Sequence, residues 1–234
     1  LTVTAGSFDL NSQAFNFTAS AAASNAALIR MNGDETIGGN VTSFDVDSGT
    51  VEYNGSGTYA SGLAGGDAYY NLTFGGSGSW TLDANLDVDG DLWLSSGTLD
   101  VSGTHYDISV AGDWTNGGGT FNEQNGTVTL DAANGVQQNL DGTETFYDLT
   151  KTVTGASTLS LDDADVFQVT NALTLTGTSG NLLTVTSDHG SNTVDFDLLA
   201  GGTQTLDYLT PIRIDANDGV EWIVVRTVPV KRAM

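Results

Sequence analysis

Residues 79–94 read SWTLDANLDVDGDLWL, and residues 92–101 continue as LWLSSGTLDV. Apolar residues alternate with Asp, Thr, Asn or Ser in short runs, and small or turn-forming residues separate the runs. Alternation with a period of two is typical of β-strands that bury one face. Asp-Gly and Gly-Thr pairs favour tight turns. This stretch therefore predicts short strands joined by sharp corners, with the apolar side chains facing inward.

The composition of the whole chain favours the same class. Its 234 residues include 24 Asp, 32 Thr and 30 Gly but only 5 Glu, so strong helix formers are scarce. The net charge of −23 argues against a nucleic-acid partner, because phosphate binding needs clustered Lys and Arg. No apolar run is long enough for a membrane span, and the absence of Cys excludes disulfides and thiolate metal sites. Because Leu1 opens the chain, we expect a mature product or a segment of a longer protein.

Internal repeats set the expected architecture. The motif LAGGDAYYNLT (63–73) aligns residue for residue with LDGTETFYDLT (140–150), and LAGGTQTLDYLT (199–210) is a third copy. Similar anchors open each unit at LTVTAGSFDL (1–10), LWLSSGTLDV (92–101) and LTLTGTSGNLLTV (173–185). We predict three degenerate super-repeats, residues 1–91, 92–172 and 173–210, that differ in length by coil-sized insertions. Such insertions are typical of solenoids, because each coil contacts only its neighbours.

The predicted fold is therefore an all-β, right-handed parallel β-solenoid over residues 1–210, with about 20 residues in each coil. Tandem β-sandwiches remain the alternative, since a sandwich of about 100 residues also consists of short alternating strands.

Residues 211–234 leave the repeat. This segment holds Pro211, Pro229 and four of the six basic residues. Its most apolar positions are Trp222, Ile223, Val224, Val225, Val228 and Val230. Because the last coil of a solenoid exposes an unpaired edge, we predict a C-terminal cap or, alternatively, an assembly strand that pairs with another subunit or module.

The runs LWLSSGTLDV (92–101), GGTFNEQNGTVTLDA (118–132) and TFYDLT (145–150) resemble the repeats of bacterial secreted and cell-surface β-solenoid proteins. Filamentous-haemagglutinin-like adhesins and autotransporter passenger domains are the familiar examples. The resemblance implies an extracellular or cell-surface location and a structural or adhesive role. It brings no catalytic residues with it.

Calcium is the one cofactor that the residues suggest. Asp87, Asp89 and Asp91 alternate along one run, so their carboxylates would share one face of a strand. Further acidic groups occur at Asp162, Asp163 and Asp165 and around Asp215. The alternative is that Asp serves as the polar partner in strand alternation and as a turn former.

These observations predict a non-catalytic extracellular structural or adhesive solenoid, a subunit or segment of a surface filament, surface layer or adhesin. Expected partners are further copies or neighbouring modules at the solenoid ends, glycans, or a cell surface. The alternative is a β-helix that binds or cleaves polysaccharide. Sugar contact at Trp93 or Trp114 stays open, and no catalytic residue is predicted.

Overall fold

A computed structural model describes residues 2–16, 24–38, 45–190, 192–216 and 219–222. These residues form no helix, and their parallel strands stack as a β-solenoid of about nine turns. The predicted all-β solenoid is confirmed. The alternative of tandem β-sandwiches is wrong, because a sandwich requires antiparallel sheets and the strands described here pair in parallel. Among the described residues, no helix has the length and apolarity needed to cross a membrane.

The chain divides into two compact units, an N-terminal unit of Leu1–Thr127 and a C-terminal unit of Val128–Met234. The three super-repeat boundaries stay a prediction. The strands of the N-terminal unit are β1 (Thr2–Val3), β2 (Ser7–Asp9), β3 (Phe15–Asn16), β4 (Ser24–Asn25), β5 (Leu28–Met31), β6 (Ile37–Gly38), β7 (Asp45–Tyr53), β8 (Thr58–Tyr59), β9 (Ala68–Phe74), β10 (Ser79–Thr81), β11 (Leu86–Val88), β12 (Leu92–Leu94), β13 (Thr98–Asp100), β14 (Ile108–Val110), β15 (Trp114–Asn116) and β16 (Thr120–Asn122). Most of these strands are short, and β7 and β9 are the longest of those described.

The C-terminal unit has longer strands. They are β17 (Thr127–Leu130, whose first residue belongs to the N-terminal unit), β18 (Gln137–Asp141), β19 (Glu144–Thr152), β20 (Ser157–Leu161), β21 (Val166–Thr176), β22 (Leu183–Ser187), β23 (Val194–Leu198), β24 (Thr203–Asp207), β25 (Leu209–Ile212) and β26 (Ile214–Asp215).

One ladder of the N-terminal unit shows how the sequence pattern builds the core. Strands β2, β5, β7, β9, β12 and β15 pair in parallel, so equivalent residues of successive coils lie side by side. The apolar row along this ladder consists of Phe8, Ile29, Val51, Leu72, Leu92 and Trp114. All of these except Phe8, which is half-buried, are fully shielded from solvent. The intervening residues point outward, as the period-two alternation predicts.

Aromatic side chains close part of this core. Tyr53 stacks on Phe74 with ring centroids 5.7 Å apart. The Tyr53 hydroxyl lies 2.8 Å from the Tyr69 hydroxyl and accepts a hydrogen bond from the Gly65 N–H. Trp80 donates its Nε1–H to the Asn32 carbonyl at 2.9 Å. These buried polar atoms therefore all have partners, which removes the penalty of burying them.

Asp and Asn side chains at the corners join one coil to the next. The Asn71 side-chain oxygen accepts the Asp91 N–H at 2.9 Å, and the Asp91 carboxylate in turn accepts the Asp113 N–H at 2.8 Å. Two similar bonds follow at another corner, where Asn85 accepts the Asp107 N–H at 3.0 Å and Asp107 accepts the Thr127 N–H at 2.9 Å. The joined residues lie 20 or 22 positions apart, which is the length of a coil. Part of the acidity of the chain is therefore structural.

The C-terminal unit repeats this arrangement with somewhat longer coils. Leu149 pairs with Leu173 between β19 and β21, and Leu159 pairs with Val185 between β20 and β22. Polar side chains again bond the neighbouring coil, and here the joined residues lie 20 to 25 positions apart. Strands β25 and β26 pair with β22 and β23, so parallel pairing extends to Asp215.

Candidate functional site

The outer face of the N-terminal unit carries an exposed tryptophan. Trp93 is the central residue of β12, where Leu92 and Leu94 point into the core. Alternation therefore turns the indole outward, and half of its surface (50 %) is exposed. A Cβ atom at position 117 would lie 3.0 Å from Trp93 Nε1, so the indole leans over Gly117 of the next coil. The indole thus offers a flat apolar surface, and a polar N–H at its edge, to the solvent.

Polar residues surround Trp93 on neighbouring coils. In the ladder Trp93 lies between Thr73 and Thr115, its direct partners on β9 and β15. A shallow depression beside the ring adds amide and carboxylate groups. We call the group the Trp93 face, and it comprises Asn71, Thr73, Asp91, Trp93, Asp113 and Thr115.

A second depression on the other side of Trp93 includes an ion pair. Arg30 donates from Nε to a carboxylate oxygen of Glu52 at 2.7 Å, and Glu52 pairs with Thr73 in the ladder. Because Arg30 is neutralised by this pair, the charge around the indole is set by Asp91 and Asp113, and it is negative.

The second tryptophan left open by the sequence has a different position. Trp114 is 0 % exposed and packs edge to face on Phe121, with ring centroids 5.0 Å apart. It belongs to the core row, so a sugar cannot reach it. The alternation of residues distinguishes the outward Trp93 from the inward Trp114. Trp93 has apolar neighbours on both sides, whereas Asp113 and Thr115 flank Trp114.

The three residues of the predicted calcium group are all exposed. Asp87 lies on β11, and Asp89 and Asp91 follow in the corner before β12. Partial burial, followed by the charge of Asp89, raises the pKa of Asp87. Among the described residues, these three are not a group whose ligand atoms converge. Calcium binding at this position stays a prediction, and melting with and without EDTA tests it.

Four other side chains do converge, in the C-terminal unit. Asp162 and Asp163 follow β20, and Asp188 and His189 follow β22. One ligand atom from each of the four lies within 4.8 Å of all the others. The acidic run that the sequence indicated at 162–165 thus contributes two of its three carboxylates. Sequence reasoning did not connect Asp188 and His189 with them, because that contact depends on the stacking of two coils.

The charges in this group influence one another. A hydrogen bond from His189 Nδ1 to Asp188 Oδ1 at 2.8 Å, and then the charges of Asp188 and Asp163, raise the pKa of His189. Partial burial acts to raise the pKa of Asp188, but hydrogen bonds from His189 and from the Asp163 N–H outweigh it, and the net pKa is lowered.

A lysine lies inside the C-terminal unit. Lys151 is 0 % exposed, donates to Gln138 Oε1 at 2.6 Å and lies 3.4 Å from the Leu130 carbonyl oxygen. Burial lowers its pKa from 10.5 to about 8, although the nearby charge of Asp131 opposes the shift. The side chain is enclosed by the core, so it is a structural feature of the coil and not a surface charge.

Of the predicted assembly residues, the structure describes Trp222. Its ring contacts Phe196 edge to face, with centroids 5.0 Å apart, and the side chain is partly buried. The other predicted assembly positions, Ile223, Val224, Val225, Val228 and Val230, lie outside the described residues.

Comparisons with protein-family models, with curated proteins and with solved structures find no match to this chain.

Proposed function

We propose that this chain is a non-catalytic structural and adhesive element that acts outside the cell, as a subunit or segment of a surface filament, surface layer or adhesin. The observation that carries the proposal is the continuity of the ladders within each unit. Backbone amides, apolar side chains and many corner carboxylates bond or pack from coil to coil. Because these groups serve contacts between neighbouring coils, they suit a protein that holds a repeated surface in place.

The outward residues suit contact with water and with partners. Thr, Asp, Asn and Ser occupy the exposed positions of the strands, and the net charge is −23. Mutual repulsion between such faces opposes lateral aggregation of the sheet surfaces. Association would then occur at the ends of the solenoid, either with another copy or with a neighbouring module.

Deletion of residues 222–234 tests the assembly part of this proposal. If the segment pairs with another subunit, the deletion lowers the mass measured by light scattering over a range of protein concentrations. A variant that keeps residues 222–234 but carries Ile223→Ser and Val225→Ser controls for the shortening of the chain. If the apolar side chains make the contact, this variant should show the same decrease in mass. An unchanged mass contradicts the assembly strand and favours the cap.

The Trp93 face favours a second candidate function, the binding of polysaccharide. An exposed indole can cover the apolar C–H face of a pyranose ring, while adjacent amide, hydroxyl and carboxylate groups bond to its hydroxyls. Thr73 and Thr115 lie on the two coils beside Trp93, and Asn71 and Asp91 lie next to them. An elongated sugar chain could follow this row of coils.

The charge of the Trp93 face narrows the class of glycan. Asp91 and Asp113 line the depression, and Arg30 is already paired with Glu52. An acidic polysaccharide would meet like charges there, so we infer a neutral polysaccharide as the ligand.

Retention on immobilised neutral polysaccharide tests this candidate. Trp93→Ala should reduce retention at least tenfold, since it removes the stacking surface, whereas Trp93→Phe should retain part of it. The control is Val136→Ala, because Val136 has a similar exposure (48 %) but belongs to the C-terminal unit. Equal retention of Trp93→Ala and the unmodified protein contradicts the assignment.

A further inference from the structure

The group formed by Asp162, Asp163, Asp188 and His189 results from the stacking of two corners. Leu161, the last residue of β20, pairs with Ser187, the last of β22. The Asp188 N–H then donates to the Leu161 carbonyl at 2.8 Å, which places the second corner directly beside the first.

Hydrogen bonds within the corners hold two of the carboxylates. Asp162 Oδ1 accepts the Ala164 N–H at 2.9 Å. Asp188 Oδ1 accepts the Asp163 N–H at 3.2 Å and lies 2.8 Å from His189 Nδ1. By contrast, Asp165 faces the preceding coil, where it accepts bonds from the Gly142 N–H and the Thr143 hydroxyl. Asp165 is thus a structural residue and not a member of the group.

The carboxylate of Asp163 gives separate evidence for cation binding. The Asp163 side chain is only 8 % exposed, and its Oδ2 is buried without a hydrogen-bond partner. Its other oxygen, Oδ1, lies 3.3 Å from His189 Nδ1. A buried carboxylate oxygen without a partner is costly, and a single imidazole cannot balance three carboxylates. The group therefore carries an excess of negative charge, and one of its carboxylates is buried with an oxygen that has no partner.

We propose that these four side chains bind a divalent transition-metal ion of the Mn²⁺ or Zn²⁺ type. An ion bound at about 2.0–2.2 Å from each ligand atom requires the ligand atoms to be about 3–4.4 Å apart. One ligand atom from each of the four side chains lies within 4.8 Å of the other three. Three carboxylates with one imidazole form a mixed oxygen and nitrogen set, which suits these ions better than Ca²⁺, whose ligands are oxygens. The His189 side chain is 65 % exposed, so the ion can enter from solvent.

Metal titration of the whole chain tests this proposal. Protein treated with EDTA and then desalted is titrated calorimetrically with MnCl₂, ZnCl₂ and CaCl₂ in separate experiments. We expect one Mn²⁺ or Zn²⁺ per chain, and the melting temperature should rise by about 5 °C at a hundredfold excess over Kd. Asp163→Asn and His189→Asn should each weaken binding at least tenfold. The Mn²⁺ spin resonance should show coupling to an imidazole nitrogen that His189→Asn abolishes.

The matched control is Asp195→Asn, because Asp195 is an exposed carboxylate on β23 of the same unit. It removes the same charge and should leave the affinity unchanged. The proposal is overturned if Mn²⁺ and Zn²⁺ do not bind, if Asp195→Asn weakens binding as much as Asp163→Asn, or if only Ca²⁺ binds and does so independently of His189. His189→Asn alters an exposed side chain, so it gives a result even where Asp163→Asn does not fold.

Discussion

Replacing Lys151 by Met should remove a specific pH dependence from the stability of the protein. Lys151 is enclosed in the C-terminal core, and its ammonium bonds to the Gln138 side chain at 2.6 Å. Burial disfavours the charged form, so the pKa is about 8 in the folded chain against 10.5 for an exposed lysine. Met has a side chain of similar length and no charge, and it keeps the apolar contacts of the lysine stem.

The magnitude follows from this difference in pKa. Below pH 8 both states hold the proton, and the folded state is destabilised by about 3 kcal/mol relative to an unshifted lysine. Between pH 8 and 10.5 the unfolded chain keeps a proton that the folded chain has released, so a rise in pH favours folding. The free energy of unfolding should therefore increase by about 2 kcal/mol from pH 8 to pH 10 through this residue alone.

The assay is urea unfolding of the two proteins at pH 7, 8, 9 and 10. At pH 7 Lys151→Met should be more stable by about 1–2 kcal/mol, because relief from the buried charge exceeds the loss of the hydrogen bond to Gln138. The advantage should shrink as the pH rises. Burial also raises the pKa of Tyr53 and Tyr69, which destabilises the fold above pH 10, but both proteins share that effect.

Leu175→Met is the control, because Leu175 is the ladder partner of Lys151 and is also buried. This substitution should change the stability by the same amount at every pH. If the difference between Lys151→Met and the unmodified protein is constant from pH 7 to pH 10, the assignment of a buried, weakly basic lysine is refuted.

Three further predictions concern stability, measured as the midpoint of urea unfolding. Gly76→Ala should cost more than about 2 kcal/mol, since its Cβ would collide with the backbone of the preceding coil, whereas Gly103→Ala meets no atom within 4 Å and should be neutral or slightly stabilising. Glu35→Ala should cost about 3 kcal/mol because three backbone N–H groups lose their charged acceptor, and a cost below 1 kcal/mol would contradict this role. Asp91→Ala should cost about 1 kcal/mol, because it removes the hydrogen bond from the Asp113 N–H on the next coil. Asp87→Ala should cost less than half as much, since the Asp87 side chain makes no such bond among the described residues. Equal costs for the two substitutions would contradict this reasoning.

Much of the fold could be predicted from the alternation of residues alone. The inward positions expected along 79–101 are buried, from Leu82 and Leu86 to Leu99 and Val101. Phe8, on the first described strand of its ladder, is only half-buried. The pattern also places Lys151 inward, between Leu149 and Val153, but a charge at a core position is so costly that sequence reasoning alone does not assign it there.

Of the candidate sites, the one that depends on a single strand could be predicted from the sequence, and the one that depends on the contact of two coils could not. The outward position of Trp93 follows from its two apolar neighbours, because it depends only on one strand. The group at Asp162 and His189 could not be predicted, because the length of the intervening coil decides which corners meet. Asp87, Asp89 and Asp91 are exposed, but only Asp87 lies on a strand and the other two follow in the corner, so strand alternation alone does not decide how their carboxylates are arranged.

We propose that the chain holds or displays a surface and does not transform a substrate. The most direct test is to incubate neutral and acidic polysaccharides with the purified protein. The number of reducing ends released is then measured over time, because each cleavage of a chain produces one. We expect neutral polysaccharide to retain the protein through Trp93 while the number of reducing ends stays constant. A steady release of reducing ends or of unsaturated sugars in proportion to protein concentration would contradict it.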